Sequence, residues 1–225
     1  MLELSKNKYE TFTDLLKDIK EKTSVNSRQL NILTGLNFFN EFGNNRYLLN
    51  VIGIYDKFAT SKIIQKKKME ELGLDEHLMA KYAGKETNSQ YRDLDNKGLI
   101  NELCSRLPNE SMSVIEQIKF EMEYLEYTTY VNPEFADHYY VVLNFKTFTD
   151  PTKPHFTLRQ IKTGEEIKTR IKQSKLYREN PFGELSILSI NNFTYKNRTK
   201  KIGEEWVETD ELEPIVTDYE VIKNV

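Results

Sequence analysis

The chain has 225 residues, 35 acidic against 32 basic side chains and a formal charge of −3, which excludes a histone-like polycation. At roughly 100–200 residues per domain the length allows one or two domains, and 38% apolar with 12% aromatic residues is a globular composition, not a disordered one. A single cysteine, Cys104, can form neither an internal disulfide nor a thiolate metal site, so the chain reads as intracellular. No stretch approaches the ~20 apolar residues of a membrane span, and MLELSKNKYE lacks the apolar core of a signal peptide. A cytoplasmic location with no membrane partner is therefore expected.

In chain order, apolar residues recur at helical spacing up to about residue 137 and alternate after it, which predicts an α half followed by a β half. Phe12, Leu15, Leu16 and Ile19 mark a first amphipathic helix capped by Thr11 or Thr13. A second starts at Asn26 or Ser27 and turns Leu30, Ile32 and Leu33 inward. Gly35 stands where a left-handed residue would end that helix, ahead of Phe38, Phe39, Phe42 and a Gly43-Asn44-Asn45 turn. A third helix is expected from about Arg46 to Phe58. Residues 60–96, with Lys66-Lys67-Lys68 and a polar run from Gly84 to Asn96, read as a surface helix and a mobile linker. Two more helices are expected near 97–107 and 111–127, the second capped by Ser111 or Ser113.

From His138 the string HYYVVLNFKTF alternates, with Val141, Leu143 and Phe145 on one face and Tyr140, Asn144 and Lys146 on the other. Phe156 to Ile161, Thr163-Gly164, and Glu166 to Ile171 read as a hairpin. Leu185 to Tyr195 reads as a fourth strand and Ile215 to Ile222 as a fifth, with Lys201 to Val207 as an extra one. The expected class is α+β, ending in a five-stranded Greek-key barrel of the OB type, though periodicity alone does not separate this from a small sandwich.

At 26–49 the string NSRQLNILTGLNFFNEFGNNRYLL resembles the helix-hairpin-helix region of bacterial and phage DNA polymerase III alpha subunits, the C-family replicative polymerases. Asn26, Arg28, Leu30, Leu33, Gly35, Phe39, Gly43, Asn45, Arg46, Leu48 and Leu49 fill matching places; Thr34 and Asn40 depart from the pattern. EQIKFEMEYLEYTTYVNP at 116–133 is similar to the acidic helix that follows in that family, with Glu126 where a glycine is usual. Residues 138–222 are similar to its OB domain. The resemblance implies a helix-hairpin-helix region over 1–59, a linker with helices over 60–137 and an OB-fold domain over 138–225. It also implies DNA replication as the setting and, as partners, single-stranded or primed DNA, the sliding clamp and other replisome subunits. Gln90-Tyr91-Arg92-Asp93-Leu94 is the nearest match to the family's clamp-binding peptide, without its terminal apolar pair. The family's catalytic domains have no counterpart in these residues.

The chemistry of the side chains agrees with a non-catalytic reading. The only close acidic pair of the right form, Asp93-Leu94-Asp95, reads as a helix cap and not as a two-metal site. His77, His138 and His155 are isolated from one another and from Cys104, so neither a metal set nor a cofactor site is expected. Residues 155–202, by contrast, hold 11 basic against 4 acidic side chains, a balance of +7. Cations that track phosphates, interleaved with rings that stack on bases, are what single-strand binding needs. Tyr140, Lys146, Arg159, Lys168, Arg170, Lys172 and Tyr195 are the candidates in the β half, with Phe148 and Tyr177 as further stacking rings.

In the helical half, the resemblance implies that the hairpin around Gly35 offers backbone N–H groups to a DNA phosphate, with Arg28 and Arg46 beside it. By themselves the residues equally fit a helix stop at Gly35 and an Arg46–Glu41 pair. Three functions are left in competition: the non-catalytic DNA-binding part of a polymerase III alpha-like enzyme, holding template or duplex DNA without sequence preference; a replisome adapter; and a stand-alone single-strand-binding accessory protein.

Overall fold

The computed structural model describes residues 7–223. The chain divides into two compact units, Met1–Phe120 and Glu121–Val225.

In the first unit, local signals set the helices. Helix α1 (Phe12–Lys22) begins where Thr11 accepts a hydrogen bond from the Asp14 amide, and it buries Phe12, Leu15, Leu16 and Ile19 along one stripe. Helix α2 (Ser27–Gly35) opens with a capping box between Asn26 and Gln29. Its end differs from expectation. Asn37, at φ 62°, is the left-handed residue, and the Asn37 and Phe38 amides close the helix on the Thr34 and Leu33 carbonyls at 3.0 Å each.

Gly35 is instead helical and buried. A Cβ on it would stand under 3.0 Å from three ring atoms of Phe120, so the missing side chain is explained by close approach and not by a turn. The Gly35 carbonyl accepts from Asn45 Nδ2 at 3.3 Å and Gln117 Nε2 at 3.2 Å, inside a knot that also joins the Met112 amide to Asn45 Oδ1. Asn45 heads helix α3 (Asn45–Phe58).

Residues 60–96 are not a linker. They form β1 (Ile63–Gln65), α4 (Glu76–Tyr82), β2 (Ala83–Glu86) and β3 (Gln90–Leu94), with the strands in antiparallel order β1-β3-β2. The strands are short and polar, with Ile64 and Tyr91 as their buried residues, so they carry no apolar alternation to read. Helix α5 (Asn96–Ser105) is capped by Asp95, which accepts from the Gly98 amide at 2.9 Å. One hydrophobic core runs from Phe12 to Cys104, so the described residues up to 59 and the segment after them are built together. Helix α6 (Val114–Leu125) starts at a reciprocal box in which Ser113 donates its amide to Glu116 and accepts from the Glu116 amide.

The second unit holds β4 (Tyr139–Lys146), β5 (His155–Gln160), β6 (Glu166–Arg170), α7 (Ser174–Glu179), β7 (Ile187–Ile202) and β8 (Glu205–Lys223). Its strands form one antiparallel sheet in the order β6-β5-β4-β7-β8. The β5–β6 hairpin turns at Gly164, φ +78°, where the sequence places it. The α+β class holds. Among the described residues no ladder closes the sheet into a barrel; its two edges meet at a single parallel bridge, Ile171 with Val216, and at a hydrogen bond from Thr169 Oγ1 to the Pro214 carbonyl of 2.9 Å.

Strand β4 departs from simple alternation. Its register to β5 shifts between Val142 and Asn144, leaving Leu143 as an extra residue. Parity flips there, so Tyr140, Val142 and Phe145 all face the core with Phe156, Leu158 and Leu188. Tyr140 is thus a core side chain, 7% exposed, and not an outward stacking ring. The three segments read as separate late strands join into one long hairpin, turned at Gly203. Only Ile187–Ser189 of β7 pair with β4, and beyond them the hairpin continues as a two-stranded ribbon. No helix among the described residues is long and apolar enough to cross a membrane.

Candidate nucleic-acid interface

Pairing register decides which side chains share a face, because lateral neighbours across antiparallel strands point the same way. Two outward rungs result on the β4–β5–β6 sheet. Lys146 lies opposite His155, which lies opposite Arg170; Asn144 lies opposite Thr157, which lies opposite Lys168. The bulge at Leu143 is what puts Asn144 and Lys146 in phase with the other two strands. Asn144, Lys146, His155, Thr157 and Lys168 of these rungs, with Arg198, Glu211, Leu212 and Glu213 of the ribbon, line an open cleft of about 500 Å³.

The rim of the cleft is apolar in part. Phe148, 65% exposed, meets the His155 ring edge-on at a centroid distance of 5.0 Å, and Leu212 is also strongly exposed. Its charges are largely fixed. Arg170 Nη2 pairs with Glu213 Oε2 at 2.5 Å, and Glu211 receives Lys200 at 2.9 Å and Arg198 at 3.5 Å. Lys146 and Lys168 are exposed and have no carboxylate partner among the described residues. Such an arrangement suits a polyanion with an unstacked ring system, since free ammonium groups attract phosphates and an exposed Phe offers a π-face.

His155 is half-buried at the centre. Burial, then the neighbouring Arg170 cation, push its pKa below the ordinary value, with Glu213 acting the other way. The unfolded chain therefore takes up this proton more readily than the folded one. The stability that depends on a neutral His155 is full above about pH 6.5, the ordinary histidine value, and is lost as pH falls through its lower folded pKa. Thermal melts from pH 7.5 to 5 should show the wild-type midpoint falling more steeply than that of His155→Gln. Parallel curves would remove His155 from this role.

No family model matches the chain, and no curated protein and no solved structure matches it.

The residues singled out in the sequence fall into three groups. Lys146 and Lys168 line the cleft, whereas Arg170 does not and is committed to Glu213, which does. Lys172 is exposed just past β6, its pKa lowered by burial and then by Arg170 and Lys196. Tyr195 is exposed on β7 but does not line the cleft.

The rest have structural partners or lie elsewhere. Arg159 is mostly buried, pairs with Glu166 at 3.1 Å and reaches the Tyr130 carbonyl at 3.5 Å. Tyr177 packs on Phe182 and donates its hydroxyl to that residue's carbonyl at 2.9 Å. In the first unit, Arg28 is exposed, Arg46 pairs with Glu116 rather than Glu41, and Gly35 is buried against Phe120, with the Leu36, Asn37 and Phe38 amides after it bonded to the Ile32, Thr34 and Leu33 carbonyls. The stretch Gln90–Leu94 is the central strand β3, with both edges paired and Tyr91 buried, whereas a clamp peptide must be free to dock.

Sequence reasoning missed Asn144, His155, Thr157, Arg198 and Leu212. Signals existed for four of them: Asn144 falls on the outward face of the alternating string from His138, Arg198 lies in the basic stretch 155–202, and His155 and Thr157 alternate with the apolar Phe156 and Leu158, which marks them as outward.

Proposed function

We propose that this protein is a non-catalytic nucleic-acid-binding protein that holds single-stranded or primed DNA, without sequence preference, in the cleft of its second unit. The observation that carries this reading is the pair of outward rungs, Lys146–His155–Arg170 and Asn144–Thr157–Lys168, facing Arg198 with Phe148 at the rim. The strand connectivity supports a finer assignment of the sheet. A three-strand meander, a helix after the third strand, a fourth strand beside the first and a fifth outside it are the features of an OB-like Greek-key barrel, left open along the Thr169–Ile171 seam. In OB folds the face of strands 2 and 3, with the loops after strands 1 and 4, takes oligonucleotides, and the cleft occupies that place. On this reading the ordered resemblance to polymerase III alpha subunits makes the bound strand the template or primed DNA of a polymerase whose active site lies in other residues.

The test is fluorescence anisotropy with a labelled single-stranded oligonucleotide titrated across salt concentrations. Binding whose log K falls with log salt by about 0.7 per phosphate contacted is expected. A duplex of equal length should bind more weakly, because its bases cannot reach the Phe148 ring. Absence of binding at the lowest salt would sink the proposal and favour the adapter reading.

A further inference from the structure

The cleft contains two carboxylates, and they are held in different ways. Glu213 and Arg170 meet with side chains only 17% and 25% exposed, so this pair is largely shielded from solvent. Glu211 is 56% exposed and bridges two cations of similar exposure, Lys200 and Arg198. The Lys200 hydrogen bond, then its charge, hold the Glu211 carboxyl below its ordinary pKa, so it stays ionised. Exposed pairs of this kind add little to stability and open readily. The ribbon ladder is also interrupted at this point: regular pairing stops at Asn197 with Leu212 and resumes at Thr199 with Glu208. Arg198 and residues 209–211 therefore lie outside the ladder, and Glu211 can swing aside without unzipping it.

A carboxylate bridging two cations offers them the same charge and the same kind of acceptor oxygens as a backbone phosphate. We infer that Glu211 is a built-in competitor for the nucleic-acid phosphate, occupying Arg198 and Lys200 until a strand displaces it. The inference rests on the reading of the cleft as a nucleic-acid site. Glu213 does not act in this way, because removing it would leave the Arg170 cation partly buried and unpaired, with an Nε that has no hydrogen-bond partner.

Glu211→Gln keeps the shape and removes the charge. With a labelled single-stranded oligothymidylate, it should bind roughly fivefold to tenfold more tightly than wild type at low salt, with a log K against log salt slope steeper by about 0.7–1.4, the value for one or two added phosphate contacts. Its thermal midpoint should not move. Glu213→Gln should lower the midpoint and bring no such gain. Wild-type binding together with tighter, more salt-dependent binding by Glu211→Gln supports the competition. If wild type binds and Glu211→Gln binds no more tightly at any salt, the competition is overturned and the cleft reading stands. If neither binds at the lowest salt, both fall.

Discussion

Replacing Lys146, Lys168 and Arg198 together by alanine is expected to weaken single-strand binding by roughly 100-fold at low salt, about 1 kcal/mol for each cation lost. The log K against log salt slope should become shallower by about 2, at about 0.7 per phosphate. All three line one cleft, and the two lysines are held by no carboxylate among the described residues, so their charge is available to a ligand. Arg170 is left out of the set because it is tied to Glu213. A matched control removes Lys162, Lys175 and Arg178, three cations of the same unit that do not line the cleft. If the control weakens binding as much as the cleft variant, the effect is one of bulk charge and the site assignment fails.

The second large effect concerns Gly35. In a helix, alanine is favoured over glycine by about 1 kcal/mol, so Gly35→Ala would ordinarily stabilise. Here the new methyl meets the Phe120 ring at under 3.0 Å. Overpacking of that kind costs about 1–3 kcal/mol, and the buried hydrogen-bond knot at the Gly35 carbonyl leaves α2 little room to shift. Chemical denaturation should show a net loss. In a Phe120→Ala background the obstruction is gone, and the same glycine-to-alanine change should turn stabilising. A loss of equal size in both backgrounds would show that the ring is not the cause.

Features encoded within a few residues were legible in the sequence. Thr11 and Ser113 mark helix starts by the hydrogen bonds their hydroxyls can accept, and the Thr163-Gly164 turn with its flanking alternation identifies the β5–β6 hairpin. What failed depended on partners far along the chain. Nothing near Leu143 announces a bulge, because a bulge exists only relative to the strand it pairs with, and so alternation alone puts Tyr140 on the outward face. Gly35 reads as a helix stop until Phe120, 85 positions later, is found against it.

The charge count was similarly local. The balance of +7 over 155–202 faces a balance of −7 over 203–225, where 8 acids meet one lysine. The hairpin brings the two stretches side by side, so that Arg170, Arg198 and Lys200 are already paired. A candidate list ranked by charge density therefore favours cations that are occupied. The cleft was partly legible through Lys146 and Lys168, but the register that gathers them was not.

The ribbon beyond Ser189 has a consequence for self-association. Its β7 strand carries Lys196, Arg198 and Lys200, and its β8 strand carries Glu205, Glu208, Glu211 and Glu213. A two-fold dimer formed by edge pairing must set a strand against its own copy, since symmetric interfaces match each surface with itself. Cations would then oppose cations, or carboxylates oppose carboxylates, and like charges directly across a ladder are destabilising. The separation of sign between the two strands thus guards both exposed edges against symmetric pairing.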